Sequence, residues 1–376
     1  MAFLETLFYA TLAPLLPSLE SELSLSQTGA GLLGAAYPAG MALATIPAGL
    51  FADRTNPRLA ARAGTAGLAL ASLAFAFGES VLVLDLARLI QGAAAASAWA
   101  GALAALAVAS SAHRRGAELS FVVSAAFLGT VLGPVVGVLA HAAGREVVFA
   151  VLAGFLVLLA AWGGPSSRHE GVHAPAHPIT ALRDRPTVRA LLLMAVVGVL
   201  LGGVQVLGAI FLADRGASAG VIALVFIAAY GSQVVLTPLV GRNVDRRGPG
   251  PAIVVALIVS GVTLLFTPLV SATWAACVLL ALASSAAAAA YTPVAVQISR
   301  IADLLEVGQG LPMALTNGSW GIGAALGAVL LSAVAEAAGS VTAFSLVAAL
   351  CALALLGVAR QPRSGSPAHP GGPDPA

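Results

Sequence analysis

Long apolar runs separated by short polar breaks leave this chain few ways to fold. They fall at about 2–19, 28–52, 59–78, 81–109, 119–142, 147–163, 190–213, 219–241, 251–270, 272–298, 308–335 and 341–359. A helix needs roughly 20 apolar residues to cross the hydrocarbon of a bilayer. Twelve such spans with short loops fill most of the 376 residues. With 59% hydrophobic and 9% charged residues, and a mean hydropathy of +0.97, too little charge remains to cover a soluble surface. The expected fold class is therefore all-α and integral to a membrane.

Polar segments divide the chain. Residues 164–189 form one long stretch rich in Pro, His and Arg, and 360–376 form a Pro/Gly/Ser tail. The expected organisation is a six-helix bundle over 1–163, a cytoplasmic linker over 164–189, a second six-helix bundle over 190–359 and a disordered cytoplasmic tail. All 18 basic residues are arginine. With both termini inside, the inner loops hold Arg54, Arg58, Arg62, Arg114, Arg115, Arg168, Arg183, Arg185, Arg189, Arg242, Arg246, Arg247, Arg300, Arg360 and Arg363, leaving only Arg88, Arg145 and Arg215 elsewhere. That bias predicts cytoplasmic termini and an even number of spans. The start, Met1 to Glu5, has no basic n-region, so no cleavable signal peptide is expected. A net charge of +2 gives no reason to expect nucleic acid. Cys277 and Cys351 stand singly inside apolar runs and read as packing residues.

The stretch Gly49-Leu50-Phe51-Ala52-Asp53-Arg54-Thr55-Asn56-Pro57-Arg58 closes one apolar run with a carboxylate and two arginines. A weaker copy returns 192 residues later as Gly241-Arg242-Asn243-Val244-Asp245-Arg246-Arg247-Gly248, about half the chain length away. Such an offset points to two similar halves. The pattern G-x-x-x-D-R-x-G-R resembles the loop between helices 2 and 3 of the major facilitator superfamily, and the echo resembles the loop between helices 8 and 9. Asp85-Leu86-Ala87-Arg88-Leu89-Ile90-Gln91-Gly92 resembles the helix 4 motif R-x-x-Q-G. Gly129-Thr130-Val131-Leu132-Gly133-Pro134-Val135-Val136-Gly137 resembles the helix 5 motif of proton-coupled exporters, above all the twelve-helix drug:proton antiporters. Glu5 stands nine residues before Pro14 in a segment similar to helix 1 of that family and of vesicular amine transporters. The resemblance implies two pseudo-symmetric six-helix bundles around a central cavity, proton coupling and export.

Read residue by residue, the motifs give separate expectations. Gly129, Gly133 and Gly137 repeat every four residues, so a second backbone can approach their shared face, and Pro134 permits a bend. Arg88 stays charged inside a span and needs a partner or a wet cavity. Asp85 is three residues earlier and is the expected partner. Glu5 is the expected proton carrier, because burial and a nearby arginine act oppositely on a carboxylate's proton affinity, and Arg88 and Asp85 join it in the expected proton-coupling set. Trp99, about three turns beyond Arg88, shares its face. Tyr9, Tyr37, Gln205, Tyr230, Gln233, Tyr291, Asn317 and Trp320 are the expected cavity liners. Asn317 occupies the place where vesicular amine transporters carry an acid, which weakens the case for a strictly cationic substrate. The resemblance gives Gly49, Asp53, Arg54 and Arg58, with Gly241, Asp245 and Arg246, a gating role at the inner mouth. Asn56 replaces the family's glycine there, and asparagine tolerates a left-handed turn.

His169-Glu170-Gly171-Val172-His173 matches a zinc protease signature that works only on a helix. Gly171 and Pro175 interrupt any helix, so the match reads as chance, and neither a metal nor an enzyme is expected. The expected activity is multidrug-type efflux of small amphipathic or hydrophobic compounds, driven by the proton gradient without a cofactor. The expected setting is the inner membrane, as a monomer in the lipid bilayer. An exporter of a sugar or other neutral metabolite is the alternative; a non-transporting sensor or an intramembrane protease has less to support it.

Overall fold

The computed structural model describes residues 2–109, 115–161, 184–304 and 310–359, with the side chains of Asp53 and Arg54 among those outside the described set. Among these residues the secondary structure is helical. We number the rods α1 (Ala2–Ala10 and Leu12–Leu23), α2 (Gln27–Arg54), α3 (Pro57–Phe77), α4 (Val81–Ala109), α5 (Arg115–Ala143) and α6 (Arg145–Ala161) in the first bundle. The second bundle holds α7 (Arg185–Asp214), α8 (Ala219–Arg247), α9 (Pro249–Leu269), α10 (Thr273–Leu304), α11 (Gly310–Ala338) and α12 (Ser340–Ala359). Among the described residues, ten helices are long and apolar enough to cross a membrane. The other two rods are α1, interrupted at Thr11, and the 17-residue α6. Leu43, Leu70, Leu82, Val151, Leu158 and Trp274 lie on the outside, each more than 60% exposed, where a soluble protein would place charge.

Several rods outrun their apolar runs. The first was expected to stop at residue 19, but α1 continues to Leu23 and takes Glu20 and Glu22 into its last turns. Ser24, in the left-handed conformation at φ 51°, ends it, and the N–H groups of Ser24 and Leu25 both donate to the Glu20 carbonyl. Residues 185–189, expected at the end of the linker, form the first turns of α7. Asp184 caps them by accepting from the Thr187 N–H (2.8 Å) and hydroxyl (2.7 Å). The rest of the expected linker and the tail lie outside the described residues. Polar side chains reach water from a helix that has left the hydrocarbon, so charge marks the membrane edge rather than the helix end.

Small residues bring the rods together. A Cβ on Gly40 would strike the Leu89 carbonyl, and one on Gly92 the Tyr37 carbonyl, so α2 and α4 touch backbone to backbone. The arginines Arg145 and Arg215 play matching parts in the two bundles. Arg145 donates to the Gly78 carbonyl beyond α3 (2.6 Å), and Arg215 donates to Val270 (2.6 Å) and Pro268 (3.2 Å) at the end of α9. Each caps the third rod of its own bundle, where carbonyls lack helical partners.

The bundles meet through α2 against α11, α5 against α8 and α1 against α7. Contact is tightest at the face opposite the termini. There the Thr28 N–H at the start of α2 donates to Glu336 Oε2 of α11 at 2.7 Å. Gly31 lies against Ala328 and Ser332, and Gly34 against Val206. The contact reaches Gly321, beside the Pro38 carbonyl. Toward the terminal face, Gly318 on α11 and Gly49 on α2 have no atom within 4 Å of the place a Cβ would occupy. The halves are in backbone-close contact at the face opposite the termini.

Candidate functional site

The first bundle buries a continuous polar run at its centre. Glu5 of α1 is 6% exposed, and the Tyr37 hydroxyl of α2 donates to its carbonyl (3.0 Å) and to Oε1 (3.4 Å). The Arg88 guanidinium lies over the Tyr37 ring, 4.7 Å from its centroid, with Phe75 at 5.9 Å. Arg88, 1% exposed, donates from Nη1 to the Phe8 carbonyl (3.0 Å) and to Gln91 Oε1 (3.2 Å). Gln91 donates in turn to the Ser72 hydroxyl of α3 at 3.1 Å. Four helices therefore hold one chain of groups from Ser72 to Glu5, with Tyr37 standing between acid and guanidinium. Stacking over rings is a property of the planar, weakly hydrated guanidinium and tolerates burial better than an ammonium would.

The expected pairing of Asp85 with Arg88 does not form. Asp85 is half-buried, its Oδ1 has no partner, and the Arg88 contacts come from α1 and from Gln91. Spacing of three residues brings two side chains to one part of a helix surface, but Arg88 turns into the bundle, where the Phe8 carbonyl and the Tyr37 ring await it. Sequence reading gave no role to Gln91 or Ser72. The signal was present for Gln91, which lies inside the R-x-x-Q-G stretch.

Between the bundles, Tyr9, Leu16, Gly34, Arg88, Gly202 and Gln205 line a narrow cavity. About 10 Å³ of it is open to the centre of a water molecule, enough for about one water. The Tyr9 ring packs against Tyr37 (5.7 Å between centroids) and edge-on against Trp320 of α11 (5.3 Å). Trp320 also rests on Met41, Ala48 and Ala96, so it joins the second bundle to the first. Gln205 is buried just after a π-helical turn, Val199–Gly203, in α7. π-Helical turns occur often at functional sites because they re-aim the residues that follow.

The other expected cavity residues are more dispersed. The Tyr291 hydroxyl of α10 donates to Asn317 Oδ1 of α11 at 3.0 Å. Tyr230 is buried in the second bundle's core and stacks on Phe226. Gln233 is spent within that bundle, donating to the Ser285 carbonyl (2.9 Å) and the Ser232 hydroxyl (3.2 Å). Trp99 is half-buried on α4, toward the terminal face.

The glycine motif of α5 faces α1 along its length. A Cβ on Gly129 would strike the Phe3 carbonyl and Thr6 Oγ1; one on Gly137 would strike the Thr11 carbonyl. At Gly133 it would lie 2.6 Å from Ala10 Cβ and 2.7 Å from the Leu7 carbonyl. Pro134 is buried inside the same helix. The Thr6 hydroxyl adds a bond to the Ala126 carbonyl at 2.6 Å.

At the terminal face both expected gate loops are altered. Asn56 is extended (φ −147°, ψ 124°) rather than left-handed, and its side chain accepts from the Arg58 N–H at 2.9 Å. It is the N-cap of α3, with Pro57 as first helical residue, so asparagine replaces glycine without a positive φ. Arg58 is half-buried, with Nη1 unpartnered. The backbone of Asp53 and Arg54 is the last turn of α2. Gly241, Asp245 and Arg246, expected in a loop, are helical, because α8 runs on to Arg247 and turns only at Gly248 (φ 77°). The His169–His173 stretch lies outside the described residues.

The profile of the Major Facilitator Superfamily matches residues 1–213 and again 190–375. Of the curated proteins compared with the chain, none matches by sequence. Among solved structures, the crystal structure of the nucleoside transporter NupG aligns over 95% of this chain and 96% of its own, with a TM-score of 0.74 and 12% identity. A point mutant of NupG aligns over 95% and 97%, with a TM-score of 0.75 and 15% identity. At such identities the likeness concerns the fold.

Proposed function

The chain belongs to the major facilitator superfamily, and we propose that it is a proton-coupled exporter of small amphipathic or hydrophobic compounds. The observation that carries this reading is the buried run from Glu5 through Tyr37 to Arg88, beside a cavity lined by both bundles. A carboxyl sealed from lipid exchanges its proton with one side at a time when the two halves rock about a central site. Glu5 is then the proton carrier, and Tyr37 transmits its charge state to Arg88. The rings of Tyr9, Tyr37 and Trp320 offer flat apolar walls for a substrate body.

In this reading the protein is a monomer in the inner membrane with cytoplasmic termini, two six-helix domains and a linker between them. The face shut by Thr28 and Glu336 is the outer one, and substrate enters from the cytoplasm. Asp53 and Arg54, with Asp245 and Arg246, latch the inner mouth when it closes. Gly129, Gly133, Pro134 and Gly137 keep α5 sealed on α1 while the halves rock.

An uncharged polar metabolite is the second reading, favoured by the Tyr291–Asn317 pair, which offers hydrogen bonds without charge. Nucleosides belong among the test solutes, since a transporter of the same fold is named for them.

The substrate is sought by measuring accumulation of a compound panel in cells lacking their own pumps, with and without a proton gradient. Flux is then followed in proteoliposomes under an imposed pH gradient. Glu5→Gln is expected to abolish uphill, pH-driven flux while sparing downhill exchange. Concentration of substrate by Glu5→Gln against its gradient would show that the proton travels elsewhere.

A further inference from the structure

The cavity between the bundles holds donors whose bonding capacity is unfilled. The Tyr9 hydroxyl is buried without a partner, and so is Nε of Arg88; both side chains line the cavity. Gln205 reaches the same space from the second bundle, with an amide that both donates and accepts. Gly34 and Gly202 line it too, and because a Cβ on them would strike Val206 and Ala324, their lack of side chains lets the helices around the space close on one another. No carboxylate lines it among the described residues, and Glu5 is held by Tyr37 instead.

Arg88 keeps its charge when buried, and its neighbours are a backbone carbonyl, an amide oxygen and two rings. None of these is an anion. Two residues of the first bundle with an unpartnered donor, and one of the second with an amide, therefore line the same space.

We propose that this cavity is the subsite for the polar end of the transported molecule, and that it takes an uncharged or anionic hydrogen-bond acceptor, a carbonyl or carboxylate oxygen, held by Arg88 and Tyr9 and closed over by Gln205. This rests on the export reading above and narrows it to amphipathic compounds that end in an acceptor. The molecule's aromatic or aliphatic body lies along the Tyr9 and Trp320 rings. A molecule ending in an ammonium meets the like charge of Arg88 and brings no acceptor. A wholly apolar molecule leaves buried donors unpaired, which is how a polar subsite rejects an analogue of the right shape. Because the acceptor touches both bundles, its arrival also favours their closure around it. In the arrangement seen here the space admits about one water, and a larger group enters as the halves part.

The test uses the full-length protein in nanodiscs and four naphthalene probes that differ only in an amide, carboxylate, ammonium or ethyl group. Affinity is read by equilibrium dialysis. The amide and carboxylate are expected to bind at least about tenfold more tightly than the ethyl compound, and the ammonium most weakly. Tyr9→Phe removes one hydroxyl and keeps the ring contacts, so it should cut the amide's advantage over the ethyl probe about tenfold, the amide binding less tightly and the ethyl probe no less tightly than before. An unshifted melting temperature of the variant reports an intact fold. Gln205→Met should act in the same direction. Equal affinities, a preference for the ammonium, no binding by any probe, or an advantage that survives Tyr9→Phe would overturn the assignment. Proton coupling is judged separately by flux. An acceptor preference without pH-driven transport removes the coupling and leaves the subsite, and the converse result removes the subsite alone.

Discussion

Tyr37 is the residue through which the acid and the guanidinium of the first bundle communicate. Its hydroxyl donates to Glu5 while its ring carries Arg88, so one side chain senses both charges. Tyr37→Phe keeps the ring and loses only the donor. It should cost about 1 kcal/mol of stability and shift the pH profile of flux, with little effect on downhill exchange. Measuring the profile beside the melting temperature separates the two effects; an unmoved profile would leave Tyr37 a packing residue. Asp85 gives the opposite expectation. Its Oδ1 has no partner and it does not meet Arg88. Asp85→Asn should therefore leave pH-driven flux near the parent level and change stability by less than about 0.5 kcal/mol. A large loss of coupling in that variant would return Asp85 to the proton path.

Among the elements, two contacts govern how rods move together or apart. The face of α5 that carries Gly129, Gly133 and Gly137 permits no side chain where it meets α1. Gly133→Leu should force the rods apart and destabilise the first bundle by about 1–3 kcal/mol. Gly154→Ala on α6, with nothing within 4 Å of the new Cβ, should be neutral. Thermal unfolding in detergent compares them. The second contact is the Glu336 carboxylate on the first turn of α2, where the helix dipole favours a negative charge. Glu336→Gln should weaken it and raise the population opened at that face. Buried Ser332, one turn away, provides the readout. With Cys277 and Cys351 replaced, Ser332→Cys should react faster with a membrane-impermeant maleimide when Glu336→Gln is added. An unchanged rate would reduce Glu336 to an ordinary cap.

At the scale of the whole molecule, the arginine bias and the even number of rods make a joint expectation. Reporter fusions after Asp53, after residue 175 and after Arg360 should read cytoplasmic, and fusions after Glu22 and Asp214 external. An external reading at residue 175 would break the two-bundle arrangement in its proposed orientation. The sequence by itself determined the spans, their grouping in two halves and the small-residue stripes. Each of these is local, because lipid obliges every span to satisfy its backbone within one helix. The α5 glycines were legible for the same reason: a spacing of four defines one face of a helix before any partner is known. Only the tertiary structure decided where α1 and α8 end, since a helix can continue past the hydrocarbon with charged side chains in water. It also decided that Arg88 answers to Phe8, Gln91 and Tyr37 rather than to Asp85. Glu5 and Tyr37 are 32 residues apart, and Thr28 and Glu336 are 308 apart. Nothing in either segment specifies the other, because such pairs arise only when close-packed helices set the angles at which side chains meet.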